Sequence, residues 1–561
     1  MILKLYNFNF YTVKLVSTHL LSFLSLYRLQ YKLFSKVSTE NLINLKSFIK
    51  MYLPAFISGI LLVLCYPTID LFFLAWIALV PFLLSLYNKK PKEAFQAGLF
   101  LGIPYFFGTQ YWIYHSINHY GGIPFIVSLV IVFLLCLYLS LYTGLFALLF
   151  SINFKSFCLP APFFAPFLWV ALEFLRSYVF TGFPWSSIGY TQYKFLSIIQ
   201  IADITGIYGV SFLVVAVNDA IAETFLIKRR IREMPLFPLS RTVIGLSLLL
   251  LFVSTTFIYG QWRLSQGRHG ASLRASIIQG NIEQDRKWDP TYQDAVMQTY
   301  SDLSLKAVSS SPNIVIWPET SAPFFFGTDR ERTEKLTYFQ KKLDTYLLFG
   351  SVLVKEKGEK RDLLSNSTLL LDKTGKVSYI YDKIHLVPFG EYVPLQNFFF
   401  FIDKLVVGIG DYIQGDHYVI AETPFGGFAT LICYEVIFPG LVRKFYLKGG
   451  DFIVNITNDA WFGKTTGPYQ HFSMAVFRAV ENRKPLIRAA NTGISGFIDS
   501  NGRILSRTHL FQQAILTNNI KTDSTKSFYT KYGDLFSYLC MVFSILLLAD
   551  ILGKARRNIR R

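Results

Sequence analysis

Of the 5 cysteines in this chain, Cys65, Cys136, Cys158 and Cys540 lie in or beside strongly apolar segments, and only Cys433 falls in a region of mixed polarity. Cys433 ends the apolar run 428–433 and is followed by Tyr434 and Glu435, an awkward pair for a pure core position. A thiolate attacks carbonyl carbons readily, but a free thiol titrates near about 8.5 and must be activated. Glu319, after the run 313–317 and Pro318, is a candidate to take the thiol proton, as a carboxylate in a partly dry cleft does. Lys383, in Tyr381-Asp382-Lys383-Ile384-His385-Leu386, offers a fixed ammonium for the oxyanion of a tetrahedral intermediate. Glu391, after Pro388-Phe389-Gly390, is placed to hold that lysine electrostatically. Singly, each has a bland alternative: core cysteine, turn carboxylate, surface lysine. Jointly they describe acyl transfer through a covalent intermediate. His385 and His471 keep a Cys–His mechanism open. Gly463-Lys464-Thr465 resembles the end of a phosphate-binding loop, but Asn458 occupies the position of its first glycine. The chain has neither CxxC nor HExxH, so no metal or other cofactor is expected. A lone cysteine in its region forms no internal disulfide.

Groups so far apart in sequence need a rigid frame. From about Ala271, short β-branched runs appear at 272–279, 313–317, 346–354, 368–371, 377–381, 428–433, 452–457 and 496–498. Amphipathic stretches near 291–309, 330–346 and 467–484 alternate with some of them. Strands interleaved with helices predict an α/β domain of about 250 residues. Three runs end in polar residues, at Glu319, at Cys433 and at Asn458-Asp459, and sites in open α/β sheets form outside the carboxyl ends of strands. One shared cleft follows.

The rest of the chain is of another kind. Hydrophobic residues make up 52% and charged residues 16% of the whole, where a soluble domain carries about a quarter charged. About eight membrane spans are predicted, near 52–66, 71–87, 94–113, 124–152, 159–178, 207–227, 243–260 and 535–552. The net charge of +19 raises nucleic acid as a partner, but the basic runs (Lys89, Lys90 and Lys92; Lys228 to Arg232; Lys554 to Arg561) flank apolar segments, and no nucleic-acid motif accompanies them. They read as anchors against anionic lipid on one face of the membrane. Both termini are then expected in the cytoplasm, with the large domain in the periplasm of a Gram-negative cell. Residues 1–50 admit three readings: a signal peptide, an interfacial helix, or an extension ahead of a natural start at Met51.

At this level of detail the chain resembles a known family. The order Glu319, Lys383, Cys433 is similar to that of the nitrilase, or carbon–nitrogen hydrolase, superfamily. Local strings sharpen the likeness: Ile316-Trp317-Pro318-Glu319-Thr320, the run from Lys383 to Pro394, Ile432-Cys433-Tyr434-Glu435, and Asn458-Asp459-Ala460-Trp461-Phe462-Gly463. They resemble the apolipoprotein N-acyltransferases, as do Tyr138–Phe146 and Thr181-Gly182-Phe183-Pro184-Trp185 in the apolar half. The resemblance runs from about residue 51 to the C-terminus and leaves residues 1–50 outside.

It implies an α-β-β-α sandwich behind a polytopic helical membrane domain. The layout is an extension over 1–50, seven membrane helices over 51–260, a catalytic domain over 261–530, and a last membrane helix with a basic tail over 531–561. It further implies transfer of an acyl chain from a phospholipid to the α-amine of a diacylglyceryl-cysteine at a lipoprotein N-terminus. A monomer in the bacterial inner membrane is expected. By matching position, Glu319 is the general base, Lys383 the oxyanion stabiliser, Cys433 the nucleophile and Glu391 the supporting carboxylate. Trp288, Tyr434 and Glu435 match positions needed for activity, and Asn366 matches a further polar position. The aromatic stretches 324–326, 398–401 and Trp461-Phe462 are expected either as arms dipping into the lipid interface or as core. Two other functions compete with acyl transfer: a tethered amidase acting on small C–N bonds, and a non-catalytic scaffold or transporter.

Overall fold

The computed structural model describes residues 39–156, 164–233, 239–267, 270–358, 362–392 and 411–560. The chain divides into two compact units, Met1–Pro54 and Ala55–Arg561. Of the first, the described part is helical from Thr39. The second holds both halves anticipated above.

The apolar half is built from the part of α1 (Thr39–Leu64) that follows Pro54 and from α2 (Pro91–Gln110), α3 (Phe125–Ser156), α4 (Ala165–Arg176), α5 (Ile207–Glu233) and α6 (Leu239–Ser265). Among the described residues, three helical segments are long and apolar enough to cross a membrane: Phe125–Ile152, Ile207–Leu226 and Val243–Ser265. Shorter apolar helices cover Phe48–Leu64, Phe72–Ser85, Leu196–Thr205 and Leu535–Asp550. The expected span over 71–87 is a 3-10 turn, Phe72–Trp76, followed by a short helix, Val80–Ser85. The surface of α6 is apolar, with Val243, Leu250, Leu251 and Ile258 all exposed, as on a helix facing lipid. Gly98 and Gly102 let α2 press against Ser140, Thr143 and Gly144 of α3, where any side chain on them would collide. Two charged residues of α4 are buried with polar partners: Glu173 accepts hydrogen bonds from the Trp169 indole and the Ile188 amide, both at 2.9 Å. Arg176 donates to the Trp185 carbonyl and the Ser187 hydroxyl. Helix α4 thereby fixes the segment that carries Trp185.

The polar half is a two-sheet sandwich. The first sheet contains β1 (Ser272–Gln279), β2 (Ile314–Ile316), β3 (Ala322–Phe325), β4 (Tyr346–Glu356), β5 (Leu363–Leu371), β6 (Val377–Asp382) and β7 (Asp411–Tyr412). The second contains β8 (Phe428–Ile432), β9 (Phe452–Thr457), β10 (Leu486–Ala490), β11 (Gly496–Ile498) and β12 (Ile504–Arg507), while β13 (Ala514–Lys521) returns to the first. The described strand orders are β13-β1-β2-β4-β5-β6, with β3 beside β4 and β7 beside β5, and β12-β11-β10-β9-β8. Strands β2, β8, β9 and β10 are buried along their whole length, as strands covered on both faces must be. Helices α7 (Gln293–Ala307) and α8 (Arg330–Leu343) cover the first sheet. Val296, Tyr300 and Leu336 there pack on Val315, Trp317 and Phe349. Helices α9 (Pro439–Lys448) and α10 (Gly467–Asn482) cover the second, and α11 (Leu535–Arg560) follows the sandwich.

Polar contacts tie the two halves together. The Asp203 carboxylate receives Arg263 from the end of α6 at 2.6 Å and Arg483 at 2.8 Å. Glu481 at the end of α10 caps the N-terminus of α5 by accepting the Ile207 amide at 3.0 Å. Trp185 donates to Gln470 at 2.6 Å. Removing one partner of a buried charge pair of this kind costs about 3–5 kcal/mol.

Candidate active site

The three sequence-predicted chemical groups meet at the carboxyl ends of β2, β6 and β8. Glu319 follows β2 and is 6% exposed, Lys383 follows β6 at 1%, and Cys433 follows β8 at 7%. Cys433 has φ +53°, a left-handed conformation that side chains other than glycine adopt at a cost. It turns the chain sharply from β8 into a 3-10 helix, Cys433–Ile437.

Two carboxylates and an amide hold Lys383 in place. Its ammonium lies 2.9 Å from Glu391 Oε2 and 3.8 Å from Glu319 Oε1. Asn366, on β5, donates from one Nδ2 to Glu319 Oε1 at 2.8 Å and to Glu391 Oε1 at 3.0 Å. The other Glu319 oxygen accepts the Asn458 amide at 2.9 Å, and Glu391 Oε2 accepts the Val387 amide at 2.8 Å. Burial alone would depress the Lys383 ammonium, but Glu391, Glu319 and Cys433 outweigh it and push it up. It therefore stays charged. The Cys433 thiol is pushed up by burial and by Glu319, against the opposing pull of Lys383. At rest it is a thiol, and it needs a base at the moment of attack.

Glu435 lies behind this cluster, fully buried. Its Oε1 accepts from Tyr381 Oη at 2.7 Å and from the amides of Ile384 at 2.8 Å and His385 at 3.0 Å. Its Oε2 accepts the Ile432 amide at 2.8 Å. One side chain thus joins the turn of Cys433 to the loop of Lys383. Burial pushes its carboxyl up, and the hydrogen bonds oppose that. The Tyr434 ring lies against Phe438 and His385. Trp288 and Trp461 lie outside the hydrogen-bonded cluster: the first packs on Phe325 at 6.0 Å, the second on Tyr120 at 4.7 Å.

A Cys–His pair is not formed. His471 Nε2 faces the Cys433 carbonyl oxygen at 3.2 Å rather than the thiol. His385 packs on Phe438, and burial lowers it to about 4, so it is neutral. The aromatic stretch 324–326 is core rather than arm: Phe324 and Phe326 belong to the cluster under α7 and α8. Phe462 is likewise buried, against Trp112 at 4.6 Å. The stretch 398–401 lies outside the described residues, as do residues 1–38.

Sequence reasoning missed Lys287. It is fully buried, and its ammonium donates to the Glu319 carbonyl oxygen at 2.8 Å. Burial lowers it to about 8, opposed by Glu319 and Cys433. In sequence it sits in Arg286-Lys287-Trp288-Asp289, which looks like a solvated turn. The buried group of Asp459 and Arg488, 2.8 Å apart, was equally hidden. Among the described residues no cluster suited to a metal ion occurs.

The comparisons agree with the two halves. The profile described as "Apolipoprotein N-acyltransferase N-terminal domain" matches residues 58–220, and that of "Carbon-nitrogen hydrolase" matches residues 274–529. A protein of Geobacter metallireducens named apolipoprotein N-acyltransferase is 43% identical over 494 residues, covering 87% of this chain and 93% of that one. Proteins of the same name from Haemophilus influenzae and Haemophilus ducreyi are 33% and 32% identical, each over 90% of this chain, covering 96% and 98% of their own lengths.

Proposed function

The chain belongs to the apolipoprotein N-acyltransferase family, and on that premise we propose that it moves an acyl chain from a membrane phospholipid to the α-amine of a diacylglyceryl-cysteine, through a thioester on Cys433. The observation that carries this reading is the buried cluster in which Asn366 bridges Glu319 to Glu391 and Lys383 lies beside both carboxylates, at the turn of Cys433.

Glu319 takes the thiol proton as Cys433 Sγ attacks the ester carbonyl of the donor. The oxyanion forms against the Lys383 ammonium and the Tyr434 backbone N–H, which has no acceptor within its own first helical turn. Collapse breaks the ester C–O bond, and the lysophospholipid alkoxide leaves with the proton from Glu319. The thioester is then attacked by the acceptor amine, Glu319 removes the amine proton, and the second tetrahedral intermediate expels the thiolate. Return of that proton to sulfur restores the resting thiol. Glu391 holds Lys383, Asn366 bridges Glu319 to Glu391, and Glu435 keeps the two loops in register. Trp288 and Trp461, which pack on Phe325 and Tyr120, are read as supporting residues that contact the substrates.

We further read the apolar half as about eight spans in a bacterial inner membrane. Both termini are cytoplasmic, the catalytic sandwich faces the periplasm, and the enzyme acts as a monomer. The positive charge of the loops and tail supports this orientation. The reading is tested by mass spectrometry of the detergent-solubilised full chain after incubation with phospholipid. An acyl-mass adduct on Cys433, absent in Cys433→Ala and discharged by a diacylglyceryl-cysteine peptide, is expected. Absence of the adduct in folded protein, with ammonia released from small amides, would replace the reading with that of a tethered amidase.

A further inference from the structure

His471, Asp459 and Arg488 are all fully buried between the sheet that carries Cys433 and the apolar half, and the proposed chemistry leaves them unused. Arg488 Nη2 lies 2.8 Å from Asp459 Oδ2 and 2.8 Å from His471 Nδ1. The same guanidinium also reaches Asn455. His471 Nδ1 is 3.0 Å from Asp459 Oδ1, and Nε2 is 3.2 Å from the Cys433 carbonyl oxygen. The ring is clamped by Trp185, stacked at 5.7 Å, and Phe462, edge-on at 5.6 Å.

These contacts fix the orientation of the ring and the role of Nε2. Nε2 faces only a carbonyl oxygen, which accepts and never donates, so the proton belongs on Nε2. Nδ1 lies between the Arg488 guanidinium and the Asp459 carboxylate, which together hold that edge of the ring. Burial and the Arg488 charge disfavour the imidazolium and keep the ring neutral. In a trans peptide unit the C=O and the following N–H point in opposite directions. Holding the Cys433 carbonyl on one side therefore aims the Tyr434 N–H to the other. Cys433 itself holds a left-handed φ, which side chains other than glycine adopt at a cost.

We propose that His471, held by Arg488 and Asp459 with its Nε2–H on the Cys433 carbonyl, is a positioning residue that orients the Cys433–Tyr434 peptide so that the Tyr434 N–H serves as an oxyanion donor. The proposal rests on the acyl-transfer reading of Cys433. It also gives the apolar half a route to the chemistry, since Trp185 is bound to Arg176 of α4 through its carbonyl and lies on the His471 ring.

The test compares two reactions of the same sulfur in the detergent-solubilised full chain. Acylation by phospholipid passes through an oxyanion, whereas alkylation by iodoacetamide does not. In His471→Phe, acylation of Cys433 is expected to fall by about thirtyfold or more, while alkylation stays within about twofold of wild type. In His471→Gln, whose amide N–H reaches the same carbonyl, most of the acylation rate returns. In His471→Asn, one carbon shorter, it does not. Equal loss of both reactions in His471→Phe, or no loss of acylation, overturns the proposal while the wild-type acyl adduct keeps the reading of function intact. No acyl adduct on wild type, with normal alkylation, removes both. Nitrogen-15 shifts of labelled histidine in the wild type provide a check that needs no variant: the His471 proton is expected on Nε2, and a proton on Nδ1 alone overturns the proposal.

Discussion

The most demanding consequence of the site geometry concerns Asn366, which bonds to the proposed base Glu319 but has no hydrogen bond to the Cys433 sulfur. Its Nδ2 stands 2.8 Å from Glu319 and 3.0 Å from Glu391, so it separates two carboxylates with a single amide. Asn366→Asp changes no volume and replaces that donor with a third negative oxygen. At an effective dielectric of about 20, unit charges that close repel by about 6 kcal/mol per pair, and two such pairs form at once. Energies of this size correspond to about four powers of ten in proton affinity for each pair. The cluster relieves the repulsion by binding an extra proton near neutrality, shared between the introduced carboxyl and its neighbours. A Glu319 that shares a proton cannot take one from Cys433. Acylation of Cys433 at pH 7 is therefore expected to fall by about 10²–10³, within the roughly 10²–10⁴ that general-base catalysis contributes. Because the lesion is a proton, the rate should recover as pH rises. In Asn366→Leu, which loses the bridge without adding charge, the loss should show no such recovery. The assay is the rate of appearance of the acyl adduct by rapid quench and intact-mass measurement between pH 6 and 9. An Asn366→Asp rate within about threefold of wild type at pH 7, or a loss that does not recover with pH, would refute the argument that this amide keeps Glu319 available as a base.

Lys287→Met removes an ammonium bound to the Glu319 carbonyl and acting on Cys433; acylation should drop by about tenfold. In wild type the rate should decline as pH rises through about 8, where Lys287 releases its proton, and pH–rate profiles of Lys287→Met should lack that limb. In Glu435→Gln the amide oxygen can serve the Tyr381, Ile384 and His385 donors, but its NH₂ is then left facing the Ile432 N–H. A denaturant titration should show a stability loss of about 2–4 kcal/mol, together with slower acylation as the Cys433 and Lys383 loops lose register. Glu481 is fully buried, and burial pushes it up to about 7 against Arg478 and the Ile207 amide. Between about pH 4.5 and 7 the folded chain then keeps a proton that the unfolded chain has lost. That stability is complete below the window and falls by about 3 kcal/mol as pH rises through it. Thermal unfolding of Glu481→Gln in detergent should be flat over the same range; a wild-type slope retained in the variant would exclude Glu481 as its source.

Much of this architecture was readable from local pattern. The runs at 272–279, 346–354, 428–433 and 452–457 are strands because β-branched and aromatic residues favour a pleated, buried surface. Strand β10 escaped because Arg488 stands in its middle, and a charge in a five-residue run argues against burial. Only Asp459 and Asn455, brought in from the neighbouring strand and the turn after it, make that burial possible. Strand β3 escaped for the opposite reason. Phe324 and Phe326 are as suited to a lipid interface as to a core, and composition alone does not choose.

The sequence by itself determined the chemistry: which residues can attack, accept a proton or hold an oxyanion, and that they lie at strand ends beside apolar helices. Tertiary structure alone decided the protonation and reach of those groups. Lys287 looks like a surface lysine until Glu319 closes over it, and His471 looks like a base for Cys433 until its ring proves to face the carbonyl instead of the sulfur. The reason is physical. Residue type and local periodicity set what a group can do, but its charge state and aim depend on burial and on partners distant in sequence, which exist only once the two sheets and the apolar half have packed.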